Sequence, residues 1–301
     1  ARRIATRAPL ASTFARRFVA GDTVDDAIAA TRELNRAGMT ATLDYLGESV
    51  SSRDEARAAA DTYIALLDRI AETGLDANVS LKLTAMGQDI DLEFMHDNVG
   101  RVLERAAAHR IFVRFDMEGS DYTQPTLDFF RRLWDEGIRD IGPVIQSYLY
   151  RSADDIAWLN SIGARVRLCK GAYKEPDTVA YPDKADVDAS FVRLMKALLD
   201  DGTYPGIATH DPAMIDATRD HMRERGYAAD RFEFQMLYGV RRDLQEQLVR
   251  DGYRLRVYVP FGTQWYPYLM RRLAERPANL MFLTGNMLRE TFSRRKRLRA
   301  G

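Results

Sequence analysis

Two lysines stand out in a chain that holds 38 arginines and only six lysines. Lys82 falls inside one short apolar run, and Lys170 stands just beyond another, beside Gly171 and Ala172. Other polar groups recur at the same kind of place. Asp44 and Glu48 follow the first such run, Asp116 and Glu118 the third, and Thr209, His210 and Asp211 the sixth. Gln146, Arg167, Gln235 and Tyr258 lie in or at the ends of the fourth, fifth, seventh and eighth. Small residues after a strand let backbone amides approach a ligand closely, and two cations nearby suit phosphate or an electron-rich ring. A lysine at such a place also admits Schiff-base chemistry. That alternative wants the lysine inside the strand and facing a barrel centre, whereas Lys170 lies past the strand.

Other constellations carry less. ATHD (208–211) puts His210 at a strand end, but the other histidines, His96, His109 and His221, fall in helical segments, which leaves no metal set. YLMRRLAE (268–275) places Tyr268, Arg271, Arg272 and Glu275 on one helical face. Two adjacent arginines there suit one carboxylate. Adjacency alone says little, because 38 arginines predict about five such pairs by composition and the chain has six.

Short strand patterns alternate with amphipathic helices along the chain. Strands are expected at 40–46, 78–84, 111–116, 143–147, 165–169, 205–208, 232–236 and 255–259. Helices are expected near 53–73, 91–109, 122–137, 151–162, 187–200, 212–226, 240–251 and 264–275. Asp154-Asp155 and Asp211-Pro212 read as helix starts, and Gly226 and Gly252 as helix ends. Eight strand–helix units predict an α/β fold, a (βα)8 barrel of the TIM type, over 39–279. A helical lead-in (1–38) precedes it and a basic helical tail (280–301) follows. A doubly wound sheet would need GxGxxG or GxxxxGK[ST], and neither is present. Polar groups on one rim from nearly every strand are what an enzyme needs and a purely structural or binding barrel does not.

Acidic and basic residues balance at 44 each, so no net field selects nucleic acid. A single cysteine, Cys169, excludes an internal disulfide and reads as a core thiol. The arginine-rich, acid-poor first twenty residues read as an amphipathic helix rather than a transit peptide, and SRRKRLRAG (293–301) as a solvated basic end.

Taken together, TLDYLGE (42–48), SLKLTAMG (80–87), VIQSYL (144–149), RLCKGAY (167–173), ATHD (208–211), EFQMLYG (233–239), RVYVPFG (256–262) and YLMRRLAE resemble the proline dehydrogenase family over 38–285. The proline dehydrogenase domain of bifunctional proline-utilisation enzymes is included in that resemblance. It implies a distorted barrel with a C-terminal helix over the site and non-covalent FAD. The implied activity is oxidation of L-proline to Δ1-pyrroline-5-carboxylate by hydride transfer from C5 to flavin N5, the first step of proline catabolism. Electrons would pass to a membrane quinone from a cytoplasmic protein in peripheral contact with the inner face of the membrane. Arg167 would lie near the flavin N5/O4 edge and Gln146 on the pyrimidine edge. Cys169, Lys170, Gly171 and Ala172 would line the flavin and pyrophosphate, Thr209 and His210 would hold the dinucleotide, and Asp116, Gln235 and Glu275 would complete the cofactor contacts. Cys169 departs from the small aliphatic residue usual there. Lys82, Arg271 and Arg272 would hold the substrate carboxylate. Tyr173, Leu237, Tyr258 and Tyr268 would wall in the ring, and Glu48 would pair with Arg271 as a gate. The catalytic set would be Arg167, Lys82, Asp116 and Tyr258. With no aldehyde dehydrogenase domain in the sequence, the monofunctional form is expected. Hydroxyproline dehydrogenase is the nearest rival, and a Schiff-base barrel lyase or aldolase the more distant one.

Overall fold

Short β-branched and leucine-rich runs, each followed by a helix, wind the chain into a ring. The computed structural model describes residues 16–275, with side chains through 270. Its strands are β1 (Thr40–Tyr45), β2 (Ala77–Leu81), β3 (Val113–Phe115), β4 (Ile141–Gln146), β5 (Arg167–Cys169), β6 (Gly206–Ala208), β7 (Glu233–Leu237) and β8 (Leu255–Phe261). Each pairs in parallel with the next, and β8 closes on β1 over Thr40–Tyr45 and Arg256–Phe261. This is the expected (βα)8 barrel.

Helix α1 (Val24–Arg36) precedes β1, and α2 (Arg53–Thr73) to α7 (Pro212–Arg225) follow β1 to β6. In between come α3 (Leu92–His109), α4 (Ser120–Asp135), α5 (Ser152–Ser161) and α6 (Lys184–Asp201). Helices α8 (Arg242–Arg250) and α9 (Trp265–Glu275) follow β7 and β8. Local chemistry sets their ends. Ser52 caps α2 by accepting from the Glu55 amide, and Gly74 closes it in a left-handed conformation. Asp211 caps α7 with Pro212 as its first residue, and Gly226 ends it. Asp154 and Asp155 lie in the first turn of α5, where acid suits the helix dipole, although that helix already begins at Ser152.

Alternate strand residues point outward, and Leu43, Leu81, Phe115, Leu168, Phe234 and Val257 are buried under the helices. The intervening residues point into the barrel, and many are polar. That division puts the greasy seam between sheet and helices and leaves the barrel centre for charge.

Several boundaries differ from expectation. β2 stops at Leu81, because the Lys82 carbonyl is taken by the Ala85 amide in a short 3-10 turn (Leu83–Met86), so Lys82 leaves the strand at the rim. Asp44 lies within β1 rather than after it, and β8 continues past Tyr258 to Phe261 because its edge pairs with Asp44 and Tyr45. Within the lead-in, the described residues before α1 are irregular. Ala20 donates to the Pro260 carbonyl, and Phe18 and Val19 pack with Leu46, Tyr268 and Leu269 at the carboxyl-end rim. The first fifteen residues and the tail lie outside the described part.

Candidate active site

Four strands deliver a buried charge cluster to the rim. Lys82 Nζ lies 3.0 Å from Asp44 Oδ1 and 3.3 Å from Asp116 Oδ2, so one ammonium bridges two carboxylates. Arg167 Nη1 donates to Asp116 Oδ1 at 2.8 Å and to Ser80 Oγ at 3.3 Å, and its Nε donates to Gln235 Oε1 at 2.5 Å. The Tyr258 hydroxyl donates to Asp116 Oδ2 at 2.6 Å, and the guanidinium carbon of Arg167 sits 5.3 Å from the Tyr258 ring centroid. Tyr63 donates to the Ser80 carbonyl beneath them.

The two carboxylates are unequal. Burial pushes Asp44 upward despite Lys82, and its Oδ2 has no hydrogen-bond partner. Burial would raise Asp116 as well, but Lys82 and Arg167 together hold it below the usual carboxylate range. Burial disfavours a charged Lys82, yet Asp44 and Asp116 outweigh it and keep the amine firmly protonated. Tyr258 is held neutral by burial and then by the nearby carboxylates.

Above Lys82, a cleft of about 300 Å³ runs between the loop after β1 and α9, lined by Gly47, Glu48, Ser49, Gln264, Pro267 and Tyr268 among others. A groove of about 380 Å³ on the outer wall, between α5 and α6, contains none of the rim residues and is remote from this chemistry. Across the rim the loops after β3, β4 and β5 lock together. Glu175 accepts from the Ser120 amide and from the Tyr148 hydroxyl, and the Tyr148 amide donates to the Lys170 carbonyl. Gly171, at φ +115°, lies where a Cβ would strike the Tyr148 ring.

Comparison with known proteins places the chain in a family. A family model described as "Proline dehydrogenase" matches residues 27–285. The chain belongs to the proline dehydrogenase family. Proline dehydrogenase 1 of Bacillus subtilis subsp. natto is 44% identical over 276 residues, covering 92% of this chain and 91% of that one. Proline dehydrogenase of Deinococcus radiodurans is 44% identical over 280 residues, covering 91% and 90%. Proline utilization A (PutA) from Bdellovibrio bacteriovorus, solved after inactivation by N-propargylglycine, is 28% identical with a TM-score of 0.82. The match covers 87% of this chain and spans about a third (32%) of that longer one. The protein is thus an oxidoreductase of proline catabolism that oxidises proline. Among its described residues no helix is long and apolar enough to cross a membrane.

As a proline dehydrogenase, it brings Lys82, Asp116, Arg167, Gln235 and Tyr258 into direct contact, while Glu48 and Tyr268 line the cleft above them. Gln146 follows on β4, where its Nε2 donates to the Glu118 carbonyl and its Oε1 is buried without a partner. His210 Nε2 accepts from the Leu237 amide at 2.8 Å, which fixes the neutral tautomer with hydrogen on Nδ1. Asp211 caps α7, as the Asp211-Pro212 pair led one to expect. Thr209 Oγ1 accepts from the Asp211 amide. Lys170 is paired with both Asp188 and Asp211. Cys169 is half-buried at the edge of the core rather than within it. Ala172 and Tyr173 sit half-buried on the loop after Cys169. The side chains of Arg271, Arg272 and Glu275 lie outside the described residues, although the backbone of α9 continues through them.

Sequence reasoning missed the support beneath the rim. Ser80, Glu233, Arg256 and Arg114 fill the barrel interior under Asp116 and Arg167, and Tyr63 reaches the Ser80 carbonyl from α2. The signal was present as a period of two. Ser80/Lys82, Arg114/Asp116, Glu233/Gln235 and Arg256/Tyr258 each place a polar residue two positions before a rim residue, hence on the same face.

Glu118 gives this site a pH dependence. It is buried and accepts from Thr84 Oγ1, which in turn accepts from the Ser49 amide of the cleft wall. Burial raises its pKa from 4.5 to about 7, against the Thr84 hydrogen bond and Lys82. A carboxyl group raised in the folded state contributes stability that is fully present below its unfolded pKa and lost as pH rises through the folded one. The window therefore runs from 4.5 to about 7, and the loss across it is about 3 kcal/mol. Glu118→Gln cannot titrate, so urea unfolding should show the parent losing ground to this variant across that window. A stability difference independent of pH would refute the assignment.

Proposed function

We propose that the rim cluster is the catalytic centre of an FAD-dependent L-proline oxidation that yields Δ1-pyrroline-5-carboxylate. The observation that carries this is the convergence of Lys82, Asp116, Arg167 and Tyr258 from four different strands into one hydrogen-bonded unit. The rim residues also suit a flavin. The orphaned, buried Gln146 Oε1 needs a donor, which a pyrimidine-edge N–H supplies. Arg167 brings positive charge to an edge that gains electrons. Non-covalent FAD, when bound, supplies the two-electron acceptor. Arg167, Gln146, Asp116 and Gln235 would hold its ring, and Cys169, Lys170, Gly171, Ala172, Thr209, His210 and Glu275 the rest.

The chain's own residues do the remaining work. Lys82, with Arg271 and Arg272 from α9, neutralises the substrate carboxylate. Tyr173, Leu237, Tyr258 and Tyr268 enclose the small apolar ring and exclude water, which fixes the reacting C–H bond against the acceptor. Glu48 closes the cleft as the partner of Arg271. Arg167 offsets the negative charge that reduction brings. Lys82 does not suit Schiff-base chemistry, because a firmly protonated amine between two carboxylates is a poor nucleophile. Lys170 is likewise paired to two carboxylates. Electrons then leave to a membrane quinone from a cytoplasmic, peripherally bound protein, and the barrel (39–279) with its lead-in and tail works as one domain.

Acid precipitation of the purified protein should release FAD into the supernatant. Its kcat/KM should be higher with L-proline than with hydroxyproline, because in this proposal the Tyr258 ring, held by the Asp116 hydrogen bond, packs against the ring carbon that carries the hydroxyl. A higher kcat/KM with hydroxyproline would give the activity to the rival substrate.

A further inference from the structure

Gln235 lies between two groups that together dictate which end of its amide points where. Its Nε2 donates to Glu233 Oε1 at 2.6 Å, and its Oε1 accepts from Arg167 Nε at 2.5 Å. Glu233 is itself anchored. Arg256 Nε donates to it at 2.7 Å while Arg256 Nη1 holds the Ala41 carbonyl, and the Tyr204 hydroxyl reaches Glu233 Oε2 at 3.3 Å. Burial would neutralise Glu233, but Arg256, Gln235 and Arg114 keep its pKa below the usual value. An ionised carboxylate only accepts, so the amide nitrogen must face Glu233 and the oxygen must face Arg167.

The neighbouring strand makes room for this arrangement. Gly206 on β6 pairs in register with Glu233, and a Cβ there would fall inside contact distance of the Gln235 amide nitrogen. Gly206 is not among the glycines with positive φ, so space for that amide, rather than backbone conformation, accounts for a glycine at this position.

We propose that Glu233 and Gly206 are positioning residues for the oxidation: they fix the Gln235 amide, and through it the Arg167 guanidinium, in the orientation that meets the cofactor. With Nε committed to Gln235 and Nη1 to Asp116 and Ser80, Nη2 is the guanidinium nitrogen that makes no hydrogen bond among the described residues. Glu233 and Gly206 pair with each other one layer beneath the rim, two residues before Gln235 and Ala208. Their effect passes through Gln235, and it rests on Arg167 facing the flavin as proposed above.

The test uses Glu233→Gln, Gly206→Ala and the exchange Glu233→Gln/Gln235→Glu. In the exchange, a carboxylate at 235 again accepts from Arg167, and the amide at 233 can donate to it while its oxygen takes the Arg256 N–H. Readouts are kcat and KM for L-proline, the Kd of the FAD-free protein for FAD by fluorescence titration, and the unfolding midpoint of the FAD-free protein. Misaiming a charged hydrogen bond costs about tenfold or more, so each single substitution should lower kcat and weaken FAD binding by that order. The exchange should recover most of the Glu233→Gln loss. Positioning is overturned if both single variants keep parental kcat and FAD affinity while only their unfolding midpoints fall, or if the exchange is no better than Glu233→Gln alone. A parent that binds no FAD overturns the flavin assignment along with it, whereas a parent that binds FAD confines either failure to the positioning role.

Discussion

Lys82→Met should lower kcat/KM for L-proline by about 100-fold to several-thousand-fold, the cost of leaving buried charge without its partner. Two losses combine. The substrate carboxylate loses a cation, and Asp44 and Asp116 lose the ammonium that bridges them. The side chains match closely in length, so packing changes little and charge carries the effect. Asp44, already pushed upward by burial, should then be pushed further up, because Lys82 is the charge that opposes the shift. The sign follows. A carboxyl raised still further in the folded state gives stability that is present below its unfolded pKa and lost as pH rises. The variant should therefore fall behind the parent most in neutral and alkaline buffer and least in acid. Kinetics together with urea unfolding across pH check both halves. Unchanged kinetics would remove Lys82 from the substrate site.

Arg167 offers the second large effect. Its Nε and Nη1 bind Gln235, Asp116 and Ser80 at once, a geometry no ammonium can copy. Arg167→Met should lower kcat by about 100-fold or more, since it removes charge stabilisation in the reduced state and leaves Gln235 Oε1 without its donor. Arg167→Lys keeps the charge but cannot keep both bonds, so its kcat should fall between parent and Met variant. Steady-state kinetics with a potentiometric titration of the flavin separate the terms. Loss of charge should make the bound flavin harder to reduce, whereas loss of aim alone should leave its potential nearly unchanged. Equal activity in all three proteins would place Arg167 outside the reaction.

The sequence made the barrel readable because its two periodicities do not overlap. Runs such as LRVYV hold β-branched and aromatic residues in alternation, and helices such as α2 carry caps at both ends. Strand ends were less legible. Leu83 and Thr84 follow Lys82 without a glycine or proline to mark the bend, and the 3-10 turn there shows only in the bond from the Ala85 amide to the Lys82 carbonyl. The rim residues were recognisable as segments, yet the layer beneath them was not. Glu233 and Arg256 look like ordinary surface charges until β7 and β8 are set side by side, when they become a buried pair. Lys170 shows the opposite limit. Its position suggested phosphate, and only the fold brings Asp188 and Asp211 against it from α6 and the start of α7.

The central claim is that this cluster passes electrons from L-proline to a bound flavin. Anaerobic titration of the purified protein, followed by visible absorbance, tests it most directly. Flavin bands should be present and should bleach on addition of L-proline, and NADH should leave them unchanged. A colourless protein that cannot be reconstituted with FAD, or a flavin that NADH reduces and L-proline does not, would contradict the account.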